Sequence, residues 1–175
     1  MIEASIPIQL VVTDRQCTAE TIATHNNITL TRVERNSYGK DFDRDTYTCE
    51  VRDALIDHEI DLIAMAGFGT ILNKPIYDDF SNRILNTHPS LLPSFPGWHA
   101  VEEALEYGVK VTGCTVHIAT EEVDAGPILA QESIPVLKDD TKETLHERIK
   151  TVERQLYVDT INKIIATNGQ IERDQ

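Results

Sequence analysis

The run Ile84-Leu-Asn86-Thr-His88-Pro89-Ser-Leu-Leu-Pro93 carries the densest chemistry in the chain. On a strand, Asn86 and His88 lie two residues apart and point to the same face. The carboxamide can donate to a developing oxyanion. The imidazole can move a proton or give a second hydrogen bond. An amide and an imidazole side by side suit acyl transfer. Pro89 keeps His88 out of the helical region and so restricts where the ring points. A lone Asn-x-His is more often a strand end followed by an ordinary loop residue. The prolines that follow shift the reading toward function.

A second stretch, Thr120-Glu121-Glu122-Val123-Asp124-Ala-Gly-Pro127, crowds three carboxylates into a turn between two apolar runs. A carboxylate beside His88 would favour imidazolium and orient the ring. Asp124, followed by Ala-Gly-Pro, is the most rigidly placed of the three. Spacing alone reads the stretch as an acidic hairpin. A third stretch, Asp41-Phe-Asp43-Arg44-Asp45, resembles the opening of a calcium loop. It has Thr46 where glycine is required and Arg52 where the bidentate glutamate belongs. An Asp-rich helix N-terminus is the better reading. Arg44, one of few cations, could meet an anionic ligand, although an exposed ion-pairing arginine is the commoner outcome. The chain has no Gly-x-Ser-x-Gly elbow and no His-Glu-x-x-His, since Lys150 stands where the second histidine belongs. Thr13-Asp-Arg-Gln16 follows the first apolar run without a glycine, so that turn is not a Gly-rich phosphate cradle.

These residues need elements to hold them. Ile8–Val12 and Ile28–Val33 read as strands, with a short helix capped by Thr18 between them. From Asp43 to His58, Tyr47, Val51, Ala54 and Leu55 form a helical stripe. Ile60–Ala66 reads as a strand buried on both faces, and Ile84–Thr87 as a strand stopped by His88-Pro89. Trp98–Tyr107 predicts a helix ended by Gly108. Val109–Ile118 and Ile128–Val136 predict two strands with no helix between them, and hence an antiparallel extension. Asp140 and Glu143 read as a capping-box-like start to a last helix. Its stripe is Leu145, Ile149, Val152, Leu156, Ile161 and Ile164, and Gly169 ends it. Strands alternating with helices imply an α/β sheet covered on both faces.

The 175 residues carry 29 acidic against 16 basic side chains, a net charge of −13. Such a balance excludes an extended phosphate-neutralising surface of the kind nucleic-acid binders use. Three cysteines, Cys17, Cys49 and Cys114, give no Cys-x-x-Cys pair, which argues against a disulfide framework and a common zinc site. A reduced, cytoplasmic setting is the expectation. No apolar run reaches the length of a membrane span, and no linker or repeat divides the chain, so one domain over 1–175 is expected.

The chain resembles the folate-dependent formyltransferases over nearly its whole length. Asn86 to Pro93 with Phe95-Pro-Gly97, Val111-Thr-Gly-Cys-Thr-Val-His117 and Val123-Asp-Ala-Gly-Pro127 carry the resemblance. It implies a Rossmann-like formyltransferase fold, a mostly parallel sheet with helices on both faces and an antiparallel extension. It implies transfer of a formyl group from 10-formyltetrahydrofolate to the amine of glycinamide ribonucleotide, in purine biosynthesis, with no metal. Asn86 would hold the formyl oxygen, His88 would donate the proton, and Asp124 would orient His88. Folate contacts would come from Arg44, from Gly69, Thr70, Ile71 and Leu72, from Asn86, and from Thr120, Glu121, Glu122, Val123 and Asp124. Pro89 and Glu153 would meet the substrate. Another amine acceptor, such as a sugar nucleotide, stays open, as does a folate-binding remnant. Family members begin with a strand, a Gly-Ser-Gly-type loop and a helix, and the loop grips the substrate phosphate. Met1 falls just after that unit, so about 25 residues, one strand–loop–helix, are expected to be missing, with the start placed at an internal methionine.

Overall fold

The computed structural model describes residues 1–167, 169 and 171. The chain divides into two compact units, Met1–Ile63 with Gly67–Arg83, and Ala64–Ala66 with the residues from Ile84 onward.

The first unit holds β1 (Leu10–Thr13), α1 (Thr18–His25), β2 (Thr29–Arg32), α2 (Arg44–Asp57) and α3 (Lys74–Asp79). β1 and β2 pair in parallel, Leu10 opposite Thr29 and Thr13 opposite Arg32. Cys17, not Thr18, is the N-cap of α1 and gives it no side-chain bond. The helix is held instead by Glu20. Its carboxylate accepts from Thr13 at 2.8 Å and from two nitrogens of Arg32 at 2.6 Å, which ties α1 to both strands. α2 has the Asp-rich start its sequence predicts, and Asp43 is its N-cap: it accepts from the Thr46 N–H at 3.1 Å and from its hydroxyl at 2.7 Å. Tyr47, Val51 and Leu55 are buried. α3 was not anticipated. Pro75 sits in its first turn, where the missing N–H costs no helical bond, and Ile76 and Phe80 are buried.

The run Ile60–Ala66 yields only β3 (Ile63–Ala64), half-buried rather than covered on both faces. It lies at the edge of a sheet ordered β3, β4 (Ile84–His88), β5 (Val111–Ile118), β6 (Ile128–Pro135). A two-residue edge strand has a partner on one side only. β4–β5 and β5–β6 are both antiparallel, so the antiparallel part is larger than the last two strands. The strands thus form two sheets, one parallel pair and one four-stranded sheet. The architecture is α/β with a parallel and an antiparallel part.

One face of the second unit's sheet is apolar. Cys114 and Ile134 pack there against Val101 of α4 (Ala100–Tyr107) and against Leu145 and Ile149 of α5 (Lys142–Ala166). Each buried aliphatic side chain contributes about 1.5–3 kcal/mol. α5 opens with a capping box formed by Thr141 and Thr144, not by Asp140 and Glu143. Asp140 instead accepts from the Leu137 N–H at 2.7 Å and pairs with Arg148. Gly169, at φ 80°, sends its N–H back to the Ile164 carbonyl at 2.9 Å. Tyr157, outside the predicted stripe, is buried. Its hydroxyl donates to the Met65 and Leu85 carbonyls, 3.0 Å from each.

Candidate functional site

Strand alternation sorts the second unit's sheet into two faces. Leu85, Thr87, Cys114, Val116 and Ile118 take one, and Asn86, His88, Thr115 and His117 take the other. The register joins the second set: Asn86 stands opposite His117 and His88 opposite Thr115. Directly opposed side chains on one face meet. Asn86 Nδ2 donates to His117 Nε2 at 3.2 Å. The sequence reading left His117 inside a strand and missed it as a site residue. Its parity with Thr115 was visible, but its partner depends on the register.

His88 is nearly sealed from water, its side chain 5% exposed. Its Nε2 donates to the Phe95 carbonyl at 2.7 Å, and its Nδ1 lies 3.3 Å from Asp124 Oδ2. Both ring nitrogens therefore face oxygen acceptors. Neither nitrogen is left for a ligand. To donate to a substrate, His88 must first exchange the Phe95 carbonyl for it.

Asp124 is set by the turn between β5 and β6. It adopts a left-handed backbone, φ 56°, which costs a non-glycine residue energy that its contacts must offset. Gly126 lets the turn close. A Cβ there would stand 1.8 Å from the Ile118 carbonyl oxygen. The Asp124 carboxylate accepts from the Gly97 N–H at 2.7 Å, and its Oδ1 stands 3.6 Å from His117 Nε2. The turn Phe95–Gly97 thus holds His88 through a carbonyl and Asp124 through an N–H. A bulge lies beside the site: Val116 pairs with Ala130 but His117 with Ile128, an irregularity that twists a strand and re-aims its side chains. Burial pushes the His117 pKa below the usual histidine value, against a smaller opposing pull from the Ile118 carbonyl and Asp124.

The other sequence-predicted residues take separate places. Pro89 follows β4 directly. Thr120 bonds the Glu122 carbonyl at 2.9 Å, and Glu121, Glu122 and Val123 are exposed in the turn leading to Asp124. Glu153 on α5 accepts from Thr87 at 2.8 Å. Thr87 points away from Asn86 and His88, so Glu153 lies against the opposite face of β4. The first unit holds Arg44, exposed at the start of α2, and the segment Gly69–Leu72. There Thr70 is buried, donating to Asp14 and accepting from Arg35 at 3.2 Å. Leu72 is buried and Ile71 is half-exposed.

Residues 3–161 match the family model described as formyl transferase. The chain belongs to the formyl transferase family. It is 46% identical over 156 residues to the phosphoribosylglycinamide formyltransferase of Mycobacterium tuberculosis (strain ATCC 25618 / H37Rv), covering 89% of this chain and 71% of that protein. Among solved structures, glycinamide ribonucleotide transformylase 1 from Symbiobacterium toebii superposes with a TM-score of 0.84 at 38% identity, covering 91% of this chain and 76% of that one. A formyltetrahydrofolate deformylase from Pseudomonas syringae superposes with a TM-score of 0.79 at 27% identity, over 88% of this chain and 50% of that one. Membership of the formyl transferase family accounts for the α/β fold.

Proposed function

We propose that this formyl transferase moves the formyl group of 10-formyltetrahydrofolate onto the primary amine of glycinamide ribonucleotide, a step of purine biosynthesis. Asn86, His88 and His117 on one sheet face, with the Asp124 carboxylate brought against the two imidazoles by the β5–β6 turn, support the reading. In the transfer, the amine nitrogen bonds to the formyl carbon and the bond from that carbon to N10 of the folate breaks. The proton lost by the amine ends on N10. Between these events the formyl oxygen carries negative charge. Asn86 has one N–H on His117 and a second to give, and an oxyanion is the partner that strengthens with it. His88, released from the Phe95 carbonyl, gives the other hydrogen bond and passes a proton toward N10. Asp124 stands behind Nδ1 and orients the ring.

Pro89 and Glu153 are proposed to meet the glycinamide ribonucleotide. In the second unit, Thr120–Asp124 are proposed folate contacts. For the first unit, taken by itself, Arg44 and Gly69–Leu72 are proposed folate contacts. Three free cysteines are consistent with a reducing, cytoplasmic site of action.

The test supplies the purified chain with 10-formyltetrahydrofolate and glycinamide ribonucleotide, and follows tetrahydrofolate and the formylated amide by mass spectrometry. Acceptor-dependent transfer is the expected result. Formate release independent of any acceptor would make the chain a hydrolase. Transfer only to a sugar-nucleotide amine would change the acceptor, and folate binding with no turnover would leave a binding protein.

A further inference from the structure

We infer that His117 is a positioning residue: it fixes the Asn86 carboxamide so that one N–H is held back and the other points outward to the reacting oxygen. This deepens the formyl-transfer reading and rests on it for the identity of that oxygen. His117 is 1% exposed, so water does not compete for its nitrogens. Nδ1 lies 3.0 Å from the Ile118 carbonyl, which can only accept, so Nδ1 carries the ring proton. Burial keeps the ring neutral near neutral pH. Nε2 is then a bare acceptor, 3.2 Å from the Asn86 amide. A flipped carboxamide would set its oxygen against that lone pair. Only the NH2 group can face Nε2, and the orientation of Asn86 follows.

Alternatives for this histidine are weaker. Asp124 Oδ1 stands 3.6 Å from Nε2, beyond hydrogen-bond range, so the hydrogen bond at that nitrogen is the 3.2 Å contact with Asn86. The Asp124 carboxylate is already served by the Gly97 N–H and faces His88. As a pure packing residue, a buried imidazole would not need to stand opposite Asn86 beside a bulge.

Two measurements test the role. Nitrogen-15 NMR of the full chain near neutral pH should show His117 protonated on Nδ1 and bare on Nε2, with a coupling across the hydrogen bond from Asn86 Nδ2. A proton on Nε2, or no coupling, would overturn the inference. This readout does not depend on turnover, so a chain without formyl transfer would sink the functional reading while the NMR still decides this one. The second measurement compares His117→Gln, whose amide oxygen reaches toward the Nε2 position, with the shorter His117→Asn. We expect His117→Asn to lower kcat at least about tenfold with the folate KM within about twofold, and His117→Gln to recover most of that loss. In an Asn86→Ala background, His117→Asn should cost less than about twofold more, because its effect runs through Asn86. Equal losses in the two His117 variants, or a full further loss in the Asn86→Ala background, would refute the role.

Discussion

At the scale of single residues, the site is a set of hydrogen bonds with few spare partners. With Asn86 in the proposed role of oxyanion donor, Asn86→Ala should cost about 10²–10³ in kcat, the usual loss for one such donor. Folate KM should change little, and steady-state kinetics separates the two. His88 is held between a carbonyl and a carboxylate. Asp124→Asn keeps an oxygen for the Gly97 N–H but removes the charge opposite the ring, so kcat should fall while the thermal midpoint moves only slightly. A variant with wild-type kcat would remove Asp124 from the chemistry. Asn86 and His88 stood out as candidates by their types, spacing and neighbouring prolines, whereas spacing alone reads Asp124 as part of an acidic hairpin and only the family resemblance singles it out. His117 was not legible, because its meaning lies in a cross-strand register that no local pattern encodes.

At the scale of elements, strand closeness and helix capping decide the outcome. Gly113 lies in β5 where a Cβ would stand 2.0 Å from the Glu132 carbonyl oxygen and 2.9 Å from Leu91. Backbone cannot give way cheaply, so Gly113→Ala should lower the melting temperature by well over the few degrees that about 1 kcal/mol produces, as scanning calorimetry will show. Asp140 is held down to about 2 from an ordinary 3.8, chiefly by its hydrogen bonds with Arg148. Its folded-state pKa lies below the unfolded one, so its stabilising contribution is present above about pH 4 and is lost as pH falls toward about 2. Asp140→Asn should therefore flatten stability against pH in that acid window and leave the shape above it unchanged, a comparison that urea melts across pH provide. The last helix was readable from its stripe. Its cap differs from the reading because Asp140 and Thr141 are both good caps, and the Leu137 N–H and Arg148 take Asp140 out of that role.

At the scale of the whole molecule, each unit is stabilised by its own packing. Cys114 is 1% exposed in the second unit's core, and burial pushes its thiol up to about 11. It should resist alkylation in the native protein and react when that unit opens. Ile149→Ala, beside it in the same cluster, should destabilise by about 2–5 kcal/mol and raise the Cys114 labelling rate more than tenfold. An unchanged rate would mean that labelling does not proceed through opening of this core. No helix among the described residues is long and apolar enough to cross a membrane. The charge of −13 favours repulsion between copies over attraction to polyanions.

By itself the sequence determined what short-range physics controls: the apolar runs of β1, β2 and β4, the amphipathic faces of α2 and α5, and the Asp-rich start of α2. It also marked the residue types that can polarise an acyl group, since composition and neighbouring prolines are local facts. The tertiary structure alone decided what depends on distant residues meeting. The register that sets Asn86 opposite His117 is one such fact, and the Phe95 carbonyl that occupies His88 is another. The placing of Glu153 behind Thr87, on the face away from the imidazoles, is a third. The physical reason is the same in each case: a one-residue shift in strand pairing turns every side chain to the other face, and it is side-chain packing over the whole sheet that selects the register.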